Sequence, residues 1–178
     1  MMNETLKTIY ARRSVRAYKP EQITDDELET VLKAGEYAPS ANNQQSQLFV
    51  AIQKKELLDE LAALGMKVKN ADSSPYYGAP TVILVFAKAG CSEPFADGCL
   101  ALENMFLAAA SIGLGSCWIN CGKHIFATDE GKALKKRLGV GDDYITVGSC
   151  ILGYPAQELG EAAPRKDDYV IYIKYGTC

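Results

Sequence analysis

The chain has one histidine, His124, one tryptophan, Trp118, and no apolar run near the ~20 residues that a membrane-spanning helix needs. Its longest apolar strings, such as Val82 to Ala87, are strand-sized. A lone histidine with no evident partner argues against a Ser/His/Asp or Cys/His nucleophile. Positive charge is not in excess: 19 Lys and Arg stand against 22 Asp and Glu, a net charge of -3, so non-specific nucleic-acid binding is not expected. The first residues, Met-Met-Asn-Glu-Thr-Leu-Lys, lack an apolar signal region, and a cytoplasmic location is the expectation. Six cysteines in such a chain read as reduced thiols. Cys117 and Cys121 lie four apart with no second pair, so small buried side chains are the reading, rather than a metal site with His124. The dinucleotide fingerprint is missing too, because Gly113-Leu114-Gly115 follows a helical pattern where the fingerprint must follow a strand.

The length and the 48% hydrophobic content fit one domain over residues 1–178 with a real core. Leu6 and Ile9 predict a first helix over 3–11. A second helix starts at Thr24, with Glu27 completing a capping box and Ile23 stapling onto Leu28; Leu28, Val31 and Leu32 form its inner face, and Ala38-Pro39 stops it. Strands are predicted over 48–52, 81–87, 144–152 and 169–173. Helices are predicted over 55–64, 97–112 and 128–138, with a mobile loop over 67–77. The helix over 97–112 is apolar nearly all round, which suits a central core helix or one at a subunit interface. Helices and strands alternate irregularly, so the fold class is α+β.

Three segments carry chemistry. Arg12-Arg13-Ser14-Val15-Arg16 puts three guanidiniums and a hydroxyl within five residues, either a solvated basic patch or an anion site that grips phosphate through paired hydrogen bonds. Pro39-Ser40-Ala41-Asn42-Asn43-Gln44-Gln45 is a polar turn whose hydroxyl and amide groups suit a heterocycle edge or a sugar-like chain. Gly113 to Asn120 joins two glycines to the single Trp118, which is either plain core or an aromatic surface for a flat ligand.

In order along the chain stand R-R-S-V-R (12–16), A-P-S-A-N-N-Q-Q (38–45), Y-G-A-P (77–80), I-G-L-G-S-C-W-I (112–119), I-L-G-Y-P (151–155) and P-R-K (164–166). Together they resemble the nitroreductase family of FMN-dependent enzymes, from Leu6 to about Tyr172. The resemblance implies a mixed or antiparallel sheet flanked by helices, in an intertwined homodimer with FMN at the interface. It implies that Arg12, Arg13, Ser14 and Arg16 hold the phosphate and the flavin pyrimidine edge. Pro39, Ser40, Asn43 and Gln45 would reach the same flavin from the other subunit, and Trp118, Ile119 and Asn120 would pass near its reactive N5. Arg165, with Lys166, matches a C-terminal basic contact to the phosphate, and the apolar helix matches the family's dimer helix.

The implied activity is ping-pong hydride transfer from NADH or NADPH to nitroaromatic, quinone or related small-molecule acceptors, with no side chain as nucleophile and no metal. Arg16 is the residue expected to stabilise charge on the reduced flavin. A narrower enone-reductase or dehalogenase task, or a flavin carrier with little turnover, are the alternatives. The sequence departs from the family where Gln45-Ser46-Gln47 replaces a common Gln-Pro-Trp, where Ala163 replaces a lysine, and before Gly78, where an Asn and Lys pair is missing.

Overall fold

A computed structural model describes residues 1–175. Strands β1 (Gln47–Ile52), β2 (Thr81–Lys88), β3 (Gly115–Ile119) and β4 (Tyr144–Gly153) form one antiparallel sheet in the order β1-β2-β4-β3. β2 pairs with β1 from Gln47↔Ala87 to Ile52↔Val82, and with β4 from Thr81↔Leu152 to Lys88↔Tyr144 across an irregularity at Val85/Phe86. β3 closes the other edge, from Gly115↔Gly153 to Ile119↔Ser149.

Side chains of a strand alternate between faces. On β2, Val82, Leu84 and Phe86 turn toward Leu61 of α3 (Lys55–Lys69), Ile125 of α5 (Gly122–Ile125) and Leu134 of α6 (Asp129–Arg137). Ile83, Val85 and Ala87 turn the other way, onto Val31 of α2 (Asp25–Glu36) and Leu102, Met105 and Phe106 of α4 (Pro94–Ser111). Helices cover both faces, so the inner strand β2 reads as an unbroken apolar string from Val82 to Ala87 rather than an alternating one.

The second helix begins as its sequence requires. Thr24 Oγ1 accepts from the Glu27 N–H at 3.3 Å, and the Glu27 carboxylate accepts from the Thr24 N–H at 2.8 Å. Tyr154 Oη donates to the same carboxylate at 2.8 Å, joining the helix start to the end of β4. Those hydrogen bonds, the Thr24 backbone bond first, hold the Glu27 carboxyl below its ordinary range. Helix α1 (Glu4–Ala11) is capped by Asn3.

Helix α4 lies flat on the sheet, because a Cβ at Gly98 would come within 2.5 Å of Val147 Cγ2. Its Asn104 amide donates to the Ala34 carbonyl of α2 at 3.1 Å. Phe95 in its first turn, Leu100 farther along and Ile112 just past its end stay exposed. The apolar helix is thus a core helix that still leaves large apolar side chains uncovered.

Three expectations need correction. Gly115–Ile119, read as part of a glycine segment, is the edge strand β3, where Gly115 leaves room for Val15 packed against it. Helix α3 runs on to Lys69, because Gly65 does not stop it: that glycine is buried under Pro75, and Asn70 ends the helix in the left-handed region. The loop that follows is pinned by buried Tyr76, whose hydroxyl meets Cys121 Sγ at 3.3 Å. Residues 169–173 form no strand; a strand needs a hydrogen-bonded neighbour, and this segment, Tyr-Val-Ile-Tyr-Ile, stands exposed with none among the described residues. No helix of the described residues is long and apolar enough to cross a membrane.

Candidate functional site

The arginine segment leaves α1 at Arg12 and runs extended along the start of β3, where the Val15 N–H donates to the Ser116 carbonyl at 2.9 Å. Buried Val15 locks it to the core, and Tyr18 Oη donates back to the Val15 carbonyl at 2.7 Å. The three guanidiniums then differ in commitment. Arg13 is partly committed to the backbone: Nη1 donates to the carbonyls of Tyr10 and Arg12, both at 2.7 Å, and Nε to that of Gly160 at 3.2 Å, while Nη2 has no hydrogen-bond partner among the described residues. Half-buried Arg12 has only a long approach to Glu103, 3.9 Å. Arg16 makes no hydrogen bond or ion pair among the described residues; its guanidinium lies 5.9 Å from the centre of the Tyr77 ring.

Arg12 and Arg13, with Lys7, Thr8, Ser111 and Ser116, line a hollow of about 280 Å³. No carboxylate lines it, although the protein is acidic overall. Cationic and hydroxyl donors around a space of that size fit a single phosphate group. The donor set at the site therefore fits the phosphate of a mononucleotide.

The polar loop 39–46 is a built structure rather than slack chain. Asn42, Asn43 and Gln45 all have positive φ, at 52°, 54° and 47°. Non-glycine residues there are strained, and such strain persists only where surroundings enforce it. Ser40 Oγ accepts from the Gln45 N–H, and the Asn43 amide oxygen accepts from the Gln45 side chain. Two tethers come from elsewhere: Gln44 Oε1 accepts from the Ser92 N–H at 2.8 Å, and Asp97 Oδ1 accepts from the Ala41 N–H at 2.9 Å.

Asp97 sits in the first turn of α4 with 2% exposure. Its second oxygen, with Ser46 Oγ and Gln47 Nε2, is buried without a hydrogen-bond partner. Pro39, Asn43 and Gln45 line a groove of about 840 Å³ with Tyr37, Gln47 and Phe49. Gln44 and Asp97 were not among the residues expected to matter. A buried acid in the apolar stretch of α4 is the signal that could have singled out Asp97.

The other expected residues are spread out. Trp118 packs on the α4 side, its ring centre 6.4 Å from that of Phe106 and its indole over Gly148. Ile119 is buried toward the opposite face, and Asn120 is exposed at the end of β3. Arg165 and Lys166 stand on the exposed C-terminal stretch, where Arg165 donates to the Ala163 carbonyl at 3.2 Å. The arginine cluster and the 39–46 loop share no hydrogen bond or hollow among the described residues. Burial pushes the Cys121 and Cys150 thiols up, away from thiolate chemistry. No group of three His, Cys, Asp or Glu side chains among the described residues is placed to hold a metal.

Comparison with known proteins adds three findings. The model of the Nitroreductase family matches residues 9–154. A protein of Archaeoglobus fulgidus, named as an NADH dehydrogenase/NAD(P)H nitroreductase, is 34% identical over 166 residues, 88% of either chain. Crystal structures of nitroreductases with bound FMN superpose closely. That from Bacteroides fragilis has a TM-score of 0.90 at 34% identity, covering 97% of this chain and 100% of its own; that from Desulfitobacterium hafniense has 0.88 at 28%, covering 98% and 100%.

Proposed function

The chain belongs to the nitroreductase family, and we propose that residues 1–178 form one FMN-binding domain that takes reducing equivalents from NADH or NADPH and delivers them to nitroaromatic, quinone or related acceptors. The observation that carries this reading is the carboxylate-free hollow bounded by Arg12, Arg13 and Lys7 in an acidic protein. The bound FMN and the nicotinamide-linked activity in the names of similar proteins support it.

In this reading Arg12, Arg13 and Ser14 hold the phosphate end, with Arg165 and Lys166 closing over it. Arg16 faces the pyrimidine edge, where a cation favours the anionic reduced form. Pro39, Ser40, Asn43 and Gln45 present their groups to the flavin bound by a second copy. Trp118, Ile119 and Asn120 back the redox-active end. When bound, FMN supplies the two-electron chemistry, with donor and acceptor using one site in turn. The protein binds, orients and sets the local charge.

Two features support a homodimer. Exposed Phe95 and Leu100 of α4 would gain from a cover, and the exposed 169–173 segment carries the composition of a strand without a neighbour among the described residues. The decisive experiment is chromatography of the flavin released by denaturing the purified protein, followed by NADH and NADPH oxidation with a panel of acceptors. FMN release with acceptor-dependent turnover is expected. FAD, or no flavin after reconstitution, would overturn the reading.

A further inference from the structure

We propose that Tyr77 is a positioning residue that holds Arg16 by the face of its guanidinium and so keeps every Arg16 N–H free for the flavin; the inference rests on the FMN reading above. The three arginines of the segment make the contrast. Arg13 has Nε and Nη1 bonded to carbonyls, and Arg12 leans toward a carboxylate. Arg16 has neither, yet its guanidinium carbon lies 5.9 Å from the Tyr77 ring centre. A cation over an aromatic face is held without consuming its in-plane donors. An ion pair would hold it more firmly but would neutralise the charge and occupy the edge that must meet a ligand.

The backbone at Tyr77 gives a second, independent reason. Tyr77 has φ of 53° and is followed by Gly78 at 67°. A bulky aromatic residue is a poor occupant of the left-handed region. Its side chain is 45% exposed, so burial of the ring does not explain its presence. The turn is fixed on both sides, the Tyr77 N–H donating to the Ser74 carbonyl at 3.2 Å and the Ala79 N–H to the Tyr76 carbonyl at 3.0 Å. Buried Tyr76 and Ala79 anchor it to the core. The chain thus keeps a strained, exposed ring where a second glycine would be easier. Such an outlier points to a use for the ring, and Arg16 is the group it faces.

Four variants test this by FMN fluorescence titration of the apoprotein, dye-equilibrated reduction potentials and apoprotein melting. Tyr77→Phe keeps the ring and should bind FMN within twofold of wild type, at an unchanged potential. Tyr77→Leu keeps bulk and strain but loses the ring; its FMN dissociation constant should rise about two- to fivefold, the range of an exposed cation–π contact, and its potential should move in the same direction as that of Arg16→Ala. In an Arg16→Ala background the Leu substitution should add nothing. Tyr77→Gly should bind FMN as poorly as the Leu variant while its apoprotein melts about 2–4 °C higher, because the backbone strain is relieved.

Unchanged binding in Tyr77→Leu, an equal loss with and without Arg16, or a lower apoprotein melting point for Tyr77→Gly each overturns the proposal while leaving the FMN reading intact. A wild-type protein that takes up no FMN overturns that reading and the proposal with it. The Tyr77→Gly melting shift, which needs no flavin, shows in that case whether the strain argument itself held.

Discussion

Asp97→Ala should separate site order from global stability. In the wild-type protein the Asp97 carboxylate accepts from the Ala41 N–H at 2.9 Å and pins a loop in which three residues have positive φ. Gln45 costs about 1–2 kcal/mol there and the two asparagines, which tolerate the left-handed region, less, so the loop is held against its own tendency to relax. A hydrogen bond to a charged acceptor contributes roughly 1.5–3 kcal/mol. Without it the loop opens, and a ligand must restore its shape on binding. The dissociation constant for FMN should therefore rise roughly tenfold to a hundredfold, at about 1.4 kcal/mol per decade.

Global stability should move far less. The removed carboxylate also carries a buried oxygen with no hydrogen-bond partner, and the desolvation cost of that atom disappears with it. Asp97→Asn retains an acceptor of about half the strength and should fall between. Fluorescence titration, with hydrogen exchange at the Ala41 amide, reads both quantities. Wild-type FMN affinity in Asp97→Ala, with the Ala41 amide exchanging rapidly, would refute the link between loop order and binding.

Three further outcomes are expected. Arg12→Ala should weaken FMN binding at least tenfold, from the loss of charge-assisted bonds of roughly 1.5–3 kcal/mol, whereas Arg137→Ala, which breaks only an exposed pair with Glu60, should bind as wild type; equal titration curves for the two would dismiss the phosphate assignment. The Glu27 carboxyl titrates below its ordinary value, so its cap is fully present above the unfolded-state range near ~4.3 and is lost as pH falls through the lower folded value; melting points at pH 6 and 3.5 should drop less in Glu27→Gln than in wild type, and an identical drop counts against the capping account. Heterodimers pairing an Arg12→Ala, Arg16→Ala chain with a Ser40→Ala, Asn43→Ala chain should recover about half of wild-type turnover, since both lesions fall on one of two independent sites; recovery no better than either damaged homodimer would place each site within a single chain.

Much of this architecture was legible before any coordinates. The Thr24–Glu27 capping box and the run of β2 follow from local rules, because hydrogen bonding within four residues and burial on both faces leave direct marks in the sequence. β3 was missed because glycine lowers strand propensity, and because what selects Gly115 is the close approach of Val15, a partner 100 residues away. The strand expected at 169–173 fails for the converse reason: its β-branched and aromatic composition is genuine, but pairing requires a neighbour that the described residues do not offer. At the site, residue types announced the arginine cluster and the polar loop. They did not distinguish an arginine occupied by carbonyls from one left free, nor reveal that Asp97 and Gln44 enforce the loop, since both depend on contacts about 50 residues apart.

The sheet order also governs when the molecule can form. β4 lies between β2 and β3, yet it is the last of these four strands to leave the ribosome, and its pairing with β2 joins Thr81 to Leu152. Until β4 emerges, β2 is an apolar ribbon with one side of its backbone unpaired, and β3 has no strand at all to join. Most of the chain must therefore be synthesised before either face of the core can close. Contacts this distant in sequence also slow folding. A premature stop before residue 144 leaves not a smaller version of this protein but an exposed, sticky pair of strands, β1 and β2, joined through α3, the species that quality control must clear.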